Sequence, residues 1–501
     1  DDVRLILHRS QKVVSKTRPH YVCWNIDASR NREFFDRDLD VNKPFGAKLA
    51  SYAKAISDPQ GFSVLRFGGT GNDHLTYLFG NVTRCPTDPH HPSGHVWSPE
   101  CMNKTWWDNL NSFAVAANAR MIFGISDVPR KAGELFGPWD SQNAEAILKY
   151  SIAKGYKFYG FELGNEKDHI YNGSFEALDF LKLQQLVKTL YPDAKVRPRL
   201  IGPDSGMSHP WNDHITYLSD FLAATSRLNV QLGGLTHHEY IEISPSNFAT
   251  PLMLDLTGAI AVAVNDTTSL LASKSTDLIA GEIGPHGGKS PPCNHSSMRW
   301  ANFADSFWYA DALGSKAQHG YSLFCRQDFI GIDYGLLDCS TGEPLPDYYI
   351  AVQWARSMGS RVLRPVLENL KSPGVRAYAH CGARSGVSVL IMNLNVTRST
   401  HIHFDGFLGM GSRLEYHFAA ADAVFGTGVA LNGHVLKPVT PGELPEMSPN
   451  RVQANTPLEL QRMSIAFVEF PDVQFPACSA NLDDLDAENH IRSASPSEVV
   501  V

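Results

Sequence analysis

KFYGFELGNE, residues Lys157 to Glu166, is the stretch on which the fold turns. It reads as a short buried strand, aromatic and branched, that runs out into a loop carrying Asn165 and Glu166. Seven further runs of the same kind recur: VCWNID (Val22 to Asp27), SVLRFGGT (Ser63 to Thr70), RMIFGIS (Arg120 to Ser126), RLIGPD (Arg199 to Asp204), GLTHHEY (Gly234 to Tyr240), LIAGEIG (Leu278 to Gly284) and YSLFCRQD (Tyr321 to Asp328). Between them lie helical stretches such as Ser141 to Lys154, with Ser141 as N-cap and an Ala- and Leu-containing body, and Phe175 to Leu190. Alternation of this kind predicts repeated βα units closing into a (β/α)8 TIM barrel. The polar residues of interest fall at the C-terminal strand ends, where such barrels carry their chemistry.

From about Pro346 the pattern changes. After a helix through Met358 come VRAYAHC, VSVLIMNLN, RLEYHFAA and SIAFVEF, alternating strands that predict a C-terminal antiparallel β-sandwich. The N-terminal VRLILH supplies one more strand to it. The expected division is 1–15 as that N-terminal strand, 16–358 as the catalytic barrel, 359–478 as the sandwich and 479–501 as an acidic, Ser-rich disordered tail.

At 501 residues the chain is long enough for a large barrel and a smaller second domain, and 43% hydrophobic with 19% charged residues is ordinary for a globular protein. The formal charge of −8 with scattered Lys and Arg argues against nucleic acid as ligand. The most apolar run, Pro251 to Val264, is too short to cross a bilayer and contains Asp255, so no integral membrane segment is expected. Eight cysteines without a CxxC spacing favour disulfides or isolated thiols over a zinc site. Asn-x-Ser/Thr sequons start at Asn81, Asn103, Asn172, Asn265, Asn294 and Asn395; with the even cysteine count they favour secretion. DDVRLILHRS has no apolar signal core and reads as a mature N-terminus.

Two carboxylates at barrel strand ends, Glu166 in FELGNE and Glu282 in GEIG, carry the chemical reading. A retaining glycosidase needs one carboxylic acid to protonate the leaving oxygen and one carboxylate to attack the anomeric carbon, ~5–5.5 Å apart. The ordinary reading of a glutamate is a solvated loop residue or an ion pair. Two of them at strand ends, one beside an asparagine whose amide can bond a sugar hydroxyl, favour catalysis. FGGTGND lacks the spacing of a phosphate loop, and HHEYIE has Glu242 where the second zincin histidine belongs, so no metal and no cofactor is expected.

With these residues in place the chain resembles the heparanase family of retaining glycoside hydrolases, which takes in mammalian heparanase, leech-type hyaluronidase and microbial β-glucuronidases. NIDAS, LRFGGT, WDSQNAEAILKYSIAKGY, FELGNE, IGPDSG, LTHHEY, GEIG, RQDF, LPDYY, AYAHC and FPAC match in order over nearly the whole chain. The resemblance implies a uronic-acid-containing oligo- or polysaccharide as partner, Glu166 as acid/base and Glu282 as nucleophile. It places Asn165 on the sugar 2-hydroxyl, and Asp27, Thr70, His237 and Tyr240 at the substrate. Backbone N–H groups at Gly287 and Gly288, with Tyr334, are expected to hold the sugar carboxylate, which needs no net positive charge. It also implies a Cys381–Cys478 disulfide; Cys85 with Cys101 is expected from their short spacing, and the pairing of Cys23, Cys293, Cys325 and Cys339 stays open.

Departures bear on function. Counted from the first histidine of LTHHEY, the family pattern sets a tyrosine where this chain has Glu239. An inward third carboxylate would raise Glu282 by like-charge repulsion, so Glu239 is expected to turn away or share a proton. GEIGPHGG replaces a longer loop. MSHPWNDH after IGPDSG, and the His- and Pro-rich insert from Asn81 to Trp106, are not basic, which favours a single uncleaved chain and a glucuronide carrying less sulfate than heparan sulfate. The expected activity is endo- or exo-acting cleavage of β-linked glucuronic acid. The alternatives are a related barrel glycosidase for another sugar and a catalytically impaired glycan-binding protein.

Overall fold

A computed structural model describes residues 2–27, 34–59, 61–85, 101–128, 137–207, 212–241, 251–273, 275–286, 301–331, 333–370, 374–407 and 411–479. Gly287, Gly288, Asn294 and the tail from residue 480 lie outside them. The eight expected strands are present and form one closed parallel barrel in chain order: Val22–Asp27, Ser63–Gly68, Ala119–Ile125, Phe158–Leu163, Arg199–Met207, Gly234–Tyr240, Asp277–Gly284 and Tyr321–Arg326. They are called barrel strands one to eight. Eight helices among the described residues follow them, from Pro44–Ala55 to Pro346–Ser357. Ser141 does precede the helix Gln142–Lys154, but its side chain makes no capping bond.

Strand alternation sorts the barrel residues. Cys23, Val64, Ile122, Ile201, Ile279, Leu323 and Cys325 form one apolar cluster in the barrel interior. Trp24, Leu65, Phe67, Phe123, Phe161 and Leu235 face the helices in the larger core, each buried side chain contributing ~1.5–3 kcal/mol. Above the interior apolar layer the strands present Asn25, Arg66, Glu162, Asp204 and His238, all buried. A polar layer of this kind has to be satisfied internally. Cys23 of strand one and Cys325 of strand eight, directly paired in register, form a disulfide.

The sandwich has a four-stranded sheet, with Asp2–Ile6 between Val366–Glu368 and Thr400–Asp405, facing a nine-stranded sheet built around Val375–Gly382, Val387–Asn393, Ser464–Phe470 and Ser412–Ala420. The N-terminal strand does join it. Its partner Thr400–Asp405 runs parallel to it, a departure from the expected antiparallel pattern. Val3, Leu5, Val389, Ile391, Ile402, Leu458 and Val468 fill the space between the sheets. On its other face the larger sheet packs against the barrel: Tyr378 lies over Gly314 of the helix Asp305–Gln318, where an added Cβ would sit 2.2 Å from the ring. The Tyr378 hydroxyl donates to Asp311 at 2.6 Å. Cys381–Cys478 and Cys85–Cys101 are bonded. Among the described residues no helix is long and apolar enough to cross a membrane.

Candidate active site

The C-terminal strand ends converge on Arg66, whose guanidinium is 1% exposed and serves four partners. It donates to Glu162 (2.9 Å), Glu282 (2.6 Å), Asn165 (3.1 Å) and Asp204. A buried arginine has five N–H donors in a fixed fork, so one side chain can order several carboxylates at once. His238 is the second hub. Its Nε2 pairs with Asp204 and its Nδ1 with Glu166, each at 2.7 Å, and its Nδ1 lies 3.9 Å from Glu282.

Glu166 lies three residues beyond strand four, in left-handed backbone with φ 51° and ψ 46°. A side chain with a Cβ seldom adopts this conformation, and such outliers cluster at functional sites. Its N–H is held by the Asp204 carbonyl at 2.9 Å. Ligand atoms of Glu166, His238 and Glu282 all lie within 4.8 Å of one another. That spacing would suit a cation, but the positive Arg66 is already bonded to Glu282 and His238 to Glu166, so a further positive charge there is disfavoured by repulsion.

The two glutamates sit in different surroundings. Glu166 is one-third exposed and Glu282 8% exposed. Tyr240 donates its hydroxyl to Glu282 Oε1, while Arg66 holds Oε2. Burial pushes the Glu282 carboxyl above its ordinary range; the charges of His238 and Arg66 offset only part of that rise, and Glu166 and Asp27 add to it. Burial also opposes a charged His238, but Asp204 and Glu282 outweigh it and lift the imidazole well above its usual range. Asp204, though buried, is held at about 2 by Arg66 and His238. Glu162 beneath them is pushed up to about 8 by burial and by Asp204, so it keeps its proton at neutral pH.

The other expected residues divide. Asn165 donates to Thr70 Oγ1 at 3.4 Å while accepting from Arg66. Asp27 accepts from Gln327 at 3.3 Å. Tyr334 is buried at the same mouth: burial raises its phenol, and Asp328, Glu282 and Asp27 add to the effect. His237 is not brought into the site. It is fully buried and its Nε2 pairs with Tyr321 at 2.7 Å, where burial and nearby Lys316 hold it well below the usual histidine range. The position assigned to Glu239 also needs correction. Alternation along strand six puts Thr236, His238 and Tyr240 on the inward face and His237 and Glu239 on the other. Tyr240 therefore holds the tyrosine place against Glu282, and Glu239 forms a buried ion pair with Lys316.

Arg66, Glu162, Asp204 and His238 were not singled out from the sequence as site residues. The available signal was a charged or ionisable side chain at an inward position of an otherwise apolar strand, in SVLRFGG and FYGFEL.

Residues 38–314 match the family profile described as glycosyl hydrolase family 79, N-terminal domain. The chain is 30% identical to baicalin-β-D-glucuronidase of Scutellaria baicalensis over 446 residues, 83% of this chain and 82% of that protein. It is 28% identical to heparanase-like protein 3 of Arabidopsis thaliana, covering 83% and 82%, and 28% identical to mouse heparanase, covering 74% and 70%. Among solved structures a 4-O-α-L-rhamnosyl-β-D-glucuronidase from Fusarium oxysporum superposes with a TM-score of 0.68 at 13% identity, over 93% of this chain and 99% of that one. A family 51 arabinofuranosidase from Xanthomonas axonopodis pv. citri gives 0.65 at 12% identity, over 93% and 99%, a likeness of fold alone. The profile match and the related sequences make this chain a glycoside hydrolase of the heparanase-like family 79, acting on O-glycosyl bonds.

Proposed function

We propose that the protein is a retaining β-glucuronidase-type hydrolase, with Glu282 as nucleophile and Glu166 as acid/base. The observation that carries this reading is that a carboxylate oxygen of Glu166 and one of Glu282 lie within 4.8 Å of each other, far closer to the ~5–5.5 Å between the carboxyl groups of retaining enzymes than to the ~6.5–9.5 Å that leaves room for an interposed water. Glu282 attacks the anomeric carbon while Glu166 protonates the departing glycosidic oxygen; a glycosyl-enzyme ester forms and the aglycone leaves. Glu166 then takes a proton from water as that water attacks the ester, freeing the sugar with its configuration kept and returning both groups to their starting states. Tyr240 and Arg66 hold Glu282 with both oxygens engaged, which limits its rotation. Asn165, bonded to Thr70 and Arg66, is assigned to the 2-hydroxyl of the reacting sugar. Asp27, Thr70 and Tyr334 are assigned to the uronic acid, and the glycine pair 287–288 to its carboxylate.

Removal of Glu239 into an ion pair with Lys316 takes away the feature that favoured a catalytically impaired relative. The names of the related baicalin-β-D-glucuronidase and heparanases support a glucuronide substrate. Disulfides Cys23–Cys325, Cys85–Cys101 and Cys381–Cys478 support an oxidising, extracellular or lysosome-like location, with the sequon asparagines as glycan acceptors. The test is hydrolysis of an aryl β-glucuronide, hyaluronan and heparan sulfate by wild type, Glu166→Gln and Glu282→Gln, with the anomer of the first-formed product read by NMR. Loss of turnover in Glu282→Gln and a β-anomeric first product are expected. Equal activity in all three proteins, or an α-anomer, would defeat the assignment.

A further inference from the structure

Immediately after Glu166 comes Lys167, a lysine whose side chain is only 5% exposed. Its ammonium sits 2.9 Å from Asp73 and 3.0 Å from Asp127, both themselves almost fully buried. Burial opposes its charge, but the two aspartates outweigh that and keep it protonated. Asp73 belongs to the short 3-10 helix Thr70–His74 after strand two, Asp127 follows strand three, and Lys167 follows strand four. One ammonium therefore ties together three consecutive loops at the barrel mouth.

These loops carry reacting parts. Thr70, the first residue of the Asp73 helix, is bonded to Asn165, and Glu166 itself is held in left-handed backbone. Gly164, at φ +72°, lets the chain turn so tightly that a Cβ there would lie 3.3 Å from both Asp127 and Lys167. On the far side Asp168 accepts from the Gly206 N–H at 2.9 Å. Burial, and the neighbouring Asp127, push the Asp73 carboxyl well above its ordinary range against the pull of Lys167, so Glu166 is flanked by a buried Lys–Asp–Asp cluster on one side and a backbone anchor on the other. A backbone conformation costing of order 1–3 kcal/mol persists only when its surroundings over-determine it.

We propose that Lys167, through Asp73 and Asp127, is a positioning residue for the acid/base: it holds Glu166 in the strained turn that sets its carboxylate against the leaving oxygen. The proposal rests on Glu166 being the acid/base. Protonation matters most for poor leaving groups, because a good leaving group departs without a proton. A displacement near 1 Å costs roughly 10²-fold. Lys167→Met should therefore lose on the order of 10- to 100-fold in kcat/KM on phenyl β-glucuronide, yet less than about 3-fold on the 2,4-dinitrophenyl glycoside. A purely structural lysine would lower both alike.

The experiment compares wild type, Lys167→Met, Asp127→Asn and Glu166→Ala on the two aryl glycosides, with thermal unfolding followed for each protein. Asp127→Asn keeps the shape of the cluster while removing a partner 3.0 Å from the ammonium, so it decides the matter if Lys167→Met does not fold. Glu166→Ala should show the same leaving-group split, with azide restoring turnover. If Glu166→Ala shows the split while Lys167→Met, or Asp127→Asn in its place, lowers both substrates equally or neither, the positioning role is overturned. If Glu166→Ala itself shows no split, the acid/base assignment fails, and the role of Lys167 with it.

Discussion

Replacing Asp204 by asparagine tests the charge network most directly. The substitution keeps an oxygen that can accept from His238 Nε2, now 2.7 Å away, and removes the charge that does most to keep the imidazole protonated. With charge centres about 4 Å apart and an effective dielectric of ~20, the lost attraction is ~4 kcal/mol, or about three pKa units at 1.36 kcal/mol each. His238 is raised above its ordinary 6.5, so its contribution to stability is complete below 6.5 and declines as pH rises through the folded value. In Asp204→Asn that folded value falls, and His238 loses its proton at lower pH. The alkaline limb of the kcat/KM profile on an aryl β-glucuronide should move toward acid by one to three units, roughly the calculated shift or a fraction of it. Urea unfolding at pH 6 should show a loss of about 3–5 kcal/mol, the usual cost of stranding a buried charge. A profile superimposable on wild type, with stability within about 0.5 kcal/mol, would refute the idea that Asp204 sets the charge of His238.

Three further outcomes are expected. Lys316→Met strands Glu239 in the core and should cost about 3–5 kcal/mol in urea unfolding, with kcat per folded molecule unchanged, because the pair lies behind strand six and away from Glu282. Gly314→Ala pushes a methyl into the Tyr378 ring and should destabilise by about 1–3 kcal/mol, read as a lowered Tm. His380, buried and bonded to the Gly359 carbonyl, is held at about 4 by burial. Below 6.5 the unfolded chain binds the extra proton and the native state does not, so stability falls between pH 6.5 and about 4, by ~3 kcal/mol for a shift of ~2.5 units; His380→Gln should flatten that slope in unfolding curves measured from pH 7 to 4.

The barrel was legible because each strand carries its own short apolar run and ends on polar residues, a signal that survives without long-range information. Glu166 and Glu282 stood out for the same reason. What escaped was set by register. His237, His238 and Glu239 are consecutive on a strand buried on both faces, so the local pattern does not say which of the two histidines begins the inward set, and a one-residue change of phase exchanges the faces. Counting from the first histidine therefore put Glu239 in the place that Tyr240 holds. Arg66, Asp204 and Lys167 were missed because a buried charge is tolerable only with its partners. Those partners come from strands or loops far apart in the chain, as Asp73 does for Lys167.

The Cys23–Cys325 bond joins strand one to strand eight, the seam at which the barrel closes on itself. It encloses 302 residues of sequence, and a loop of that size corresponds to roughly 5–6 kcal/mol of denatured-state entropy on the chain-entropy account. The cylinder is thereby a covalent hoop. Separation of strands one and eight is barred while the thiols stay oxidised, so a reducing cytosol would be a poor host for producing this enzyme; because both sulfurs are fully buried, a reductant meets the exposed Cys85–Cys101 bond first and reaches this seam only once the barrel has opened.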